Sequence, residues 1–361
     1  MKKTFDVIRQ GIKDGLQPGG QIVVRHRGET LADVAFGEAK PGVAMTTDSV
    51  QLWMSAGKPL AAIAALQQVA RGRVALDTRV ADVIPGFGVH GKEPITLRHV
   101  LTHTAGFRGP LNNFAPGPWA NILDRVYALK QEPGWVPGEK AGYHVGSSWF
   151  VLGELVRRLD GRSFDVYVRD EVLRPVGATG SSVGMTAEEA AALGDRLAVV
   201  VPDFAGNHAD GITVPRPGAN ARGPVRDLAA VYDSLLAHDG RLLPPEWSRR
   251  MVVRQREGMF DETFKQTIDW GWGLKLDSKR HSAMNGGKAE TYGYGPHASD
   301  QTFGHSGNQC GCAFADPTHD LVVAWVVNGM PGEAKHQARQ DAINTAVYED
   351  LGLGGSNLAM A

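Results

Sequence analysis

The sequence predicts a mixed α/β fold of the α+β type. One antiparallel sheet is flanked by N- and C-terminal helices, and a mostly helical subdomain is inserted between two groups of strands. Three observations predict it. Strand-like segments occur near both ends of the chain. Helical periodicity opens and closes it. The middle, from about residue 55 to 250, is mostly helical, and one sheet made from both chain ends lets these helices cover its two faces. With 361 residues, 42% hydrophobic and 21% charged, the chain has ordinary globular composition and can bury a sizeable core.

Residues 4–16 place Phe5, Ile8, Ile12 and Leu16 at three-to-four spacing, which predicts an amphipathic helix ended by Pro18, Gly19 and Gly20. Strands are predicted at 21–26 and 30–36, with Arg27, Gly28 and Glu29 as the turn between them. Further strands are predicted at 270–276, 302–315 and 319–328, the last two joined by a turn at Asp316, Pro317 and Thr318. A helix over 335–351 follows, with Ala338, Ile343, Ala346 and Val347 as its apolar residues. The expected organisation is a single catalytic domain over 1–351. Its sheet part is 1–54 and 255–351, its helical part 55–254, and 352–361 is a flexible tail. Residues 202–224 and 278–301 read as loops, and long loops in compact domains often carry function. Trp119 and Trp135 lie in another Pro/Gly-rich connection, where a Trp more often packs than lines a pocket.

The formal net charge of −1 gives no reason to expect a nucleic-acid or membrane-surface partner. The apolar stretch that a secretory signal needs does not follow Lys2 and Lys3, and the longest apolar run is far too short to span a bilayer. The expectation is a soluble, cytoplasmic protein acting on a small molecule. Its oligomeric state is not encoded in any recognisable pattern. Cys310 and Cys312 stand two apart in a strand-like stretch. That spacing puts them about 6.5–7 Å apart, too far for a relaxed disulfide, so they read as small buried residues. His99 and His103 have helical metal-ligand spacing but no third ligand. No metal or other cofactor is called for.

The chemistry-bearing pair is Ser55 and Lys58, at the start of a helix predicted over 60–69. Residues i and i+3 share a helical face, and helical side chains lean toward the N-terminus, so the Lys58 stem bends back toward Ser55. An amine so placed can take the hydroxyl proton if its pKa is lowered, which burial and the positive helix N-terminus both promote. A Ser at a helix start is also an ordinary N-cap. It is the surrounding sequence that favours the reactive reading.

The segments 72–77, 95–107, 137–143, 222–228 and 305–307, taken together and in this order, resemble the serine β-lactamase-related, penicillin-binding-protein-like family, over about residues 20–350 in all. The resemblance rests on the block 95–107, with Thr102, His103, Thr104, Ala105, Gly106 and Phe107 at its end. It also rests on Gly72 through Asp77, on Pro137, Gly138 and Glu139 leading to Tyr143, on Arg222 through Leu228, and on His305, Ser306 and Gly307. It implies a β-lactamase/transpeptidase-like fold with three motifs around one cleft. Ser55 would be the nucleophile and Lys58 its base partner. Tyr143 would act as phenolate, or through a proton shared with Lys58, as base in acylation and acid to the leaving group. Gly307 would let substrate lie against a strand without a β-carbon in the way. The backbone N–H groups of Ser55 and Asn308 would form the oxyanion hole. His305, Ser306 and Asn112 would complete the substrate-binding set.

Two departures from the family pattern bear on substrate. Val145 stands where the family normally has Asn or Ser, removing a polar handle for amide substrates. His305 stands in place of a permanent cation, weakening carboxylate recognition at neutral pH. The resemblance therefore implies a serine hydrolase working through acyl-Ser55, a carboxylesterase on a small ester first. An acyltransferase using the same acyl-enzyme, and an amide hydrolase such as a D-aminopeptidase or weak β-lactamase, are the alternatives. A catalytically idle binding protein is disfavoured because it would have no need of Ser55, Lys58 and Tyr143 together.

Overall fold

A computed structural model describes residues 1–109 and 117–354. The first helix, α1 (Lys2–Lys13), is shorter than the predicted 4–16: Asp14 caps it and Gly15, at φ +69°, turns the chain out, so Leu16 leaves the helical stripe. The strands follow in chain order. β1 (Gly19–His26) and β2 (Glu29–Lys40) form a hairpin, and β3 (Val43–Ala44) extends its edge. β4 (Gln51–Leu52) leads into the turn that carries Ser55, and the helix α2 (Lys58–Ala70) follows. β5 (Ser182–Val183) and β6 (Ala221–Gly223) lie in the inserted region, and β7 (Phe260–Asp261) and β8 (Gln266–Thr267) make a short hairpin. β9 (Lys275–Leu276), β10 (Phe303–Gly307), β11 (Gly311–Asp316) and β12 (Leu321–Val327) complete the set before the C-terminal helix Glu333–Asp350.

Among the described residues the main sheet has seven strands in the order β3-β2-β1-β12-β11-β10-β9, paired antiparallel. The two chain ends meet where β1 pairs with β12, Ile22 opposite Trp325. β12 is buried on both faces, and its alternating side chains feed two cores. Val322, Ala324 and Val326 pack with the inserted helices, while Val323, Trp325 and Val327 pack with α1 and the C-terminal helix. α2 sits inside the first core, buried from Lys58 to Val69; its alanines let it pack closely on the helix Ser147–Asp160.

The structure corrects several expectations. The single strand predicted over 302–315 is the hairpin β10–β11, reversed at Asn308 to Cys310 with Gln309 at φ +49°. The strand predicted over 270–276 shrinks to β9, because Gly271 approaches backbone carbonyls at Met251 and Gly273 turns at φ +74°. Residues 202–224 are not one loop. They hold a helical turn, Ala209–Thr213, and β6, which joins β4 and β5 in a small sheet ordered β4-β6-β5. Ala338 is exposed, and the buried face of the C-terminal helix instead carries Arg339, Gln340 and Asn344 with Ile343 and Val347. Both cysteines are free and buried.

Candidate active site

The turn before α2 is a single 3-10 turn, Met54–Gly57, held from below by β6. Trp53 N donates to Ala221 O (2.9 Å) and Trp53 Nε1 to Gly223 O (3.0 Å). A β-carbon on Gly57 would sit 2.4 Å from Ala221 Cβ, so only glycine lets the turn rest on β6. Met54 takes φ +50°, a costly conformation for a side-chain-bearing residue, and the backbone bends sharply just before Ser55. On the other side β10 closes in. A β-carbon on Gly307 would lie 2.5 Å from Trp53 O and 2.9 Å from Cys310 Sγ. The packing of the strand end against the turn that carries Ser55 is by itself enough to require Gly307.

Ser55 is part-exposed, and Lys58 is completely buried one turn on. Lys58 Nζ lies 2.8 Å from Ser55 Oγ and donates to Gly218 O at 2.5 Å. The Trp149 and Tyr143 rings flank it, their centroids 5.3 and 5.6 Å from Nζ. Among the described residues no carboxylate pairs with it, and burial pulls its pKa down to about 7. A hydroxyl in contact with an amine that is partly neutral at physiological pH has the chemistry to act as a nucleophile with its base.

Tyr143 is nearly buried between Trp270, stacked at 5.7 Å, and Phe264 at 5.0 Å. Its hydroxyl is close enough to Ser55 for that side chain to favour ionisation, but the contact lacks full hydrogen-bond geometry. Burial outweighs it and pushes the phenol well above its ordinary pKa. The group at the site that changes charge near neutrality is thus Lys58, and Tyr143 stays protonated.

His305 faces the same side. Its ring stands 5.9 Å from Tyr143 and 5.7 Å from Trp270, and its Nδ1 is 2.9 Å from Ser306 O. Burial first, then the nearby Lys58, brings its pKa down to about 3, so it is a neutral imidazole at any ordinary pH. Ser306 points to the opposite face of β10, toward Cys312 Sγ (3.3 Å) and Gln340 (3.2 Å), because alternate strand residues face opposite ways. Its hydroxyl is not brought to the site, which corrects its place in the substrate-binding set. Asn308 is exposed at the hairpin reversal, and its side chain accepts from the Tyr292 hydroxyl at 3.3 Å. Among the described residues, the backbone N–H groups of Ser55 and Asn308 have no hydrogen-bond acceptor. Asn112 lies outside the described residues.

Val145 is 38% exposed. With Tyr143, Arg108, Glu132 and Thr263 it lines a pocket of about 500 Å³. Arg108 is committed there to an ion pair with Glu132. A larger pocket, about 660 Å³, shares no residue with the site; Trp119 lines it and donates to Glu154. Trp135 instead packs under Gly106 and over Arg108. His99 and His103 do not face a common ligand, since each Nδ1 accepts from a backbone N–H, of Thr96 and His144 respectively. The residues that sequence reasoning missed are Gly218, Trp149 and Trp270. Only the glycine-rich character of 202–224 hinted at the first.

The chain and its fold are similar to known proteins. A solved penicillin-binding protein homologue from Caulobacter crescentus is 26% identical, covers 96% of each chain and superposes with a TM-score of 0.79. A solved family VIII carboxylesterase is 25% identical, again over 96% of each chain, with a TM-score of 0.78. Penicillin-binding protein 4 of Amycolatopsis lactamdurans is 30% identical over 76% of this chain and 74% of its own. The beta-lactamase family model matches residues 5–348, and the chain belongs to that family. It is a serine hydrolase of the group that includes penicillin-binding proteins and esterases.

Proposed function

We propose that the protein is a carboxylesterase acting on small esters through an acyl-Ser55 intermediate. The observation that carries this reading is the 2.8 Å contact between Ser55 Oγ and a buried Lys58 amine whose pKa is lowered to about 7. Neutral Lys58 takes the Ser55 proton as Oγ attacks the ester carbonyl. The backbone N–H groups of Ser55 and Asn308 hold the oxyanion. Tyr143, which keeps its proton, passes it to the departing alkoxide and regains one from the Lys58 ammonium. Water then cleaves acyl-Ser55 by the same relay, giving the carboxylic acid and free enzyme. The protonated phenol favours this relay over a standing phenolate.

Preference for an ester over a β-lactam is supported by two side chains. A β-lactam presents a carboxylate and a side-chain amide. His305 offers the carboxylate no charge, and Val145 offers the amide no hydrogen bond. An unmet polar group costs about 1–3 kcal/mol, so together they disfavour a β-lactam by roughly two to four orders of magnitude in kcat/KM. The solved family VIII carboxylesterase supports the same choice by likeness. The test is to measure kcat/KM side by side for a short-chain aryl ester and a chromogenic cephalosporin, with an added alcohol in a third arm. The ester is expected to lead by at least about 100-fold. A cephalosporin value at or above the ester value would overturn the reading, and ester product formed faster than acid in the alcohol arm would redirect it to acyl transfer.

A further inference from the structure

Tyr143 sits on an irregular stretch between Ala141 and the helix Ser147–Asp160, with no strand or helix of its own to fix it. Its backbone is nonetheless clamped from two sides. On one side β7 and the residues after it act. Tyr143 N donates to Asp261 Oδ1 (3.0 Å), and Thr263 Oγ1 donates to Tyr143 O (2.9 Å). Asp261 is itself fixed by a fully buried ion pair with Arg256 (3.0 Å). On the other side a single residue, His103, takes both neighbours of Tyr143. Gly142 N donates to His103 O (2.9 Å), and His144 N donates to His103 Nδ1 (3.2 Å). The His103 ring also packs edge-on against Tyr143 at 4.9 Å and against Trp270 at 4.6 Å.

Three features of His103 fit this task. It adopts φ +57°, left-handed backbone that a bulky residue takes only when its surroundings hold it there, and that turn aims carbonyl and ring at the same segment. It is 1% exposed, so neither acceptor is lost to water. Burial first, then the Arg256 charge nearby, holds the imidazole pKa well below its ordinary value, so the ring is neutral and Nδ1 can accept. Arg256 joins the two sides of the clamp, since its Nη1 donates to Thr102 O, the residue before His103.

We propose that His103 is the positioning residue for Tyr143, gripping the residues on either side so that the phenol stays aimed at Ser55. The proposal rests on the reading of Tyr143 as the proton relay. His103 does not touch substrate; it acts through Tyr143. Misplacing a reacting group by about 1 Å costs on the order of 100-fold in rate. Removal of the imidazole should therefore lower kcat while leaving substrate binding nearly intact.

The experiment is a double-mutant cycle on ester hydrolysis with His103→Ala, Tyr143→Phe and the pair, fold being monitored by circular dichroism. His103→Ala is expected to lower kcat by roughly 10–100-fold, with KM within about threefold. In the Tyr143→Phe background the same change should cost less than about threefold, because the group it positions is gone. His103→Asn should recover most of the loss, since Asn tolerates left-handed backbone and puts an oxygen near the place of Nδ1. Should His103→Ala fail to fold, His103→Gly keeps the backbone free to turn and deletes the same acceptor. A folded His103 variant with unchanged kcat overturns the proposal, as does an equal loss in both backgrounds. If Tyr143→Phe alone is silent, it is the relay reading that fails, and the positioning role falls with it.

Discussion

Lys58 and Lys275 are both withdrawn from solvent, 0% and 3% exposed, and lie on opposite faces of the β10 edge. Their surroundings differ in one respect that decides their chemistry. Lys275 Nζ meets the Glu290 carboxylate at 2.6 Å and donates to the Thr291 and Tyr292 carbonyls at 3.0 and 2.8 Å. Lys58 has one carbonyl, one hydroxyl and two aromatic faces. A buried ammonium keeps its charge when a counter-charge and carbonyl dipoles replace water. Without the counter-charge, the amine gives up its proton instead. The aromatic faces return only part of the lost solvation. One lysine thus ties the loop after β9 to the sheet, and the other has, on the function proposed above, the surroundings to exchange a proton. The same side chain becomes structural or reactive according to whether a carboxylate stands beside it.

Methionine at either position should separate the two roles. Lys58→Met is expected to lower ester turnover by about two to four orders of magnitude, the range of a general base. In the wild type the rising limb of kcat/KM should lie near pH 7, where the Lys58 amine loses its proton. A limb at pH 5 or below would assign it to a carboxylate. Lys275→Met should do the reverse. It leaves Glu290 buried beside Asp277, whose carboxyl is already held above its ordinary pKa by burial and by the Glu290 charge. Urea unfolding should show a loss of about 3–5 kcal/mol, with turnover per folded molecule within about threefold of wild type. If Lys275→Met abolishes turnover without loss of stability, the division of labour is misassigned.

What the sequence made legible follows the range of the interactions. Ser55 and Lys58 were readable as a pair because a helix brings residues three apart together regardless of what surrounds it. That Lys58 lacks a counter-charge was not readable, since it depends on Gly218 and Trp149, brought in from the inserted region. Val145 and His305 were readable as apolar and near-neutral side chains. The depth of His305 depends on Trp270 and Trp149 packing around its ring. Ser306 was grouped with His305 and Gly307 through the resemblance's motif, and strand alternation turns its hydroxyl to the other face. The 302–315 stretch read as one strand because the left-handed residue of its reversal is Gln309, which carries no turn signal of its own. The C-terminal helix hid its face for a related reason. Arg339 is buried by donating to backbone carbonyls of Leu16, Gln309 and Gly329, partners that periodicity within the helix cannot reveal.

The smallest effect expected from the lysine comparison is also its most discriminating. Below pH 7 the Lys58 amine is protonated in the folded and the unfolded chain alike, and the folded state carries the full cost of burying the charge. Between about 7 and the ordinary 10.5 the folded chain binds fewer protons than the unfolded one, so stability contributed at this position rises with pH. Above 10.5 the amine is neutral in both states and the cost disappears. Methionine fills similar space without a charge. Lys58→Met should therefore be more stable than wild type by on the order of 1–3 kcal/mol near neutral pH, an exchange of stability for activity. That gain should shrink steadily as the pH is raised toward 10. Urea midpoints at about pH 6.5 and 9.5 measure both the sign and the trend. A variant less stable than wild type at the lower pH would show that Gly218, Ser55 and the aromatic rings suffice to hold an ammonium. Lys58 would then be an ordinary buried cation like Lys275, and the proton acceptor for Ser55 would have to be sought elsewhere.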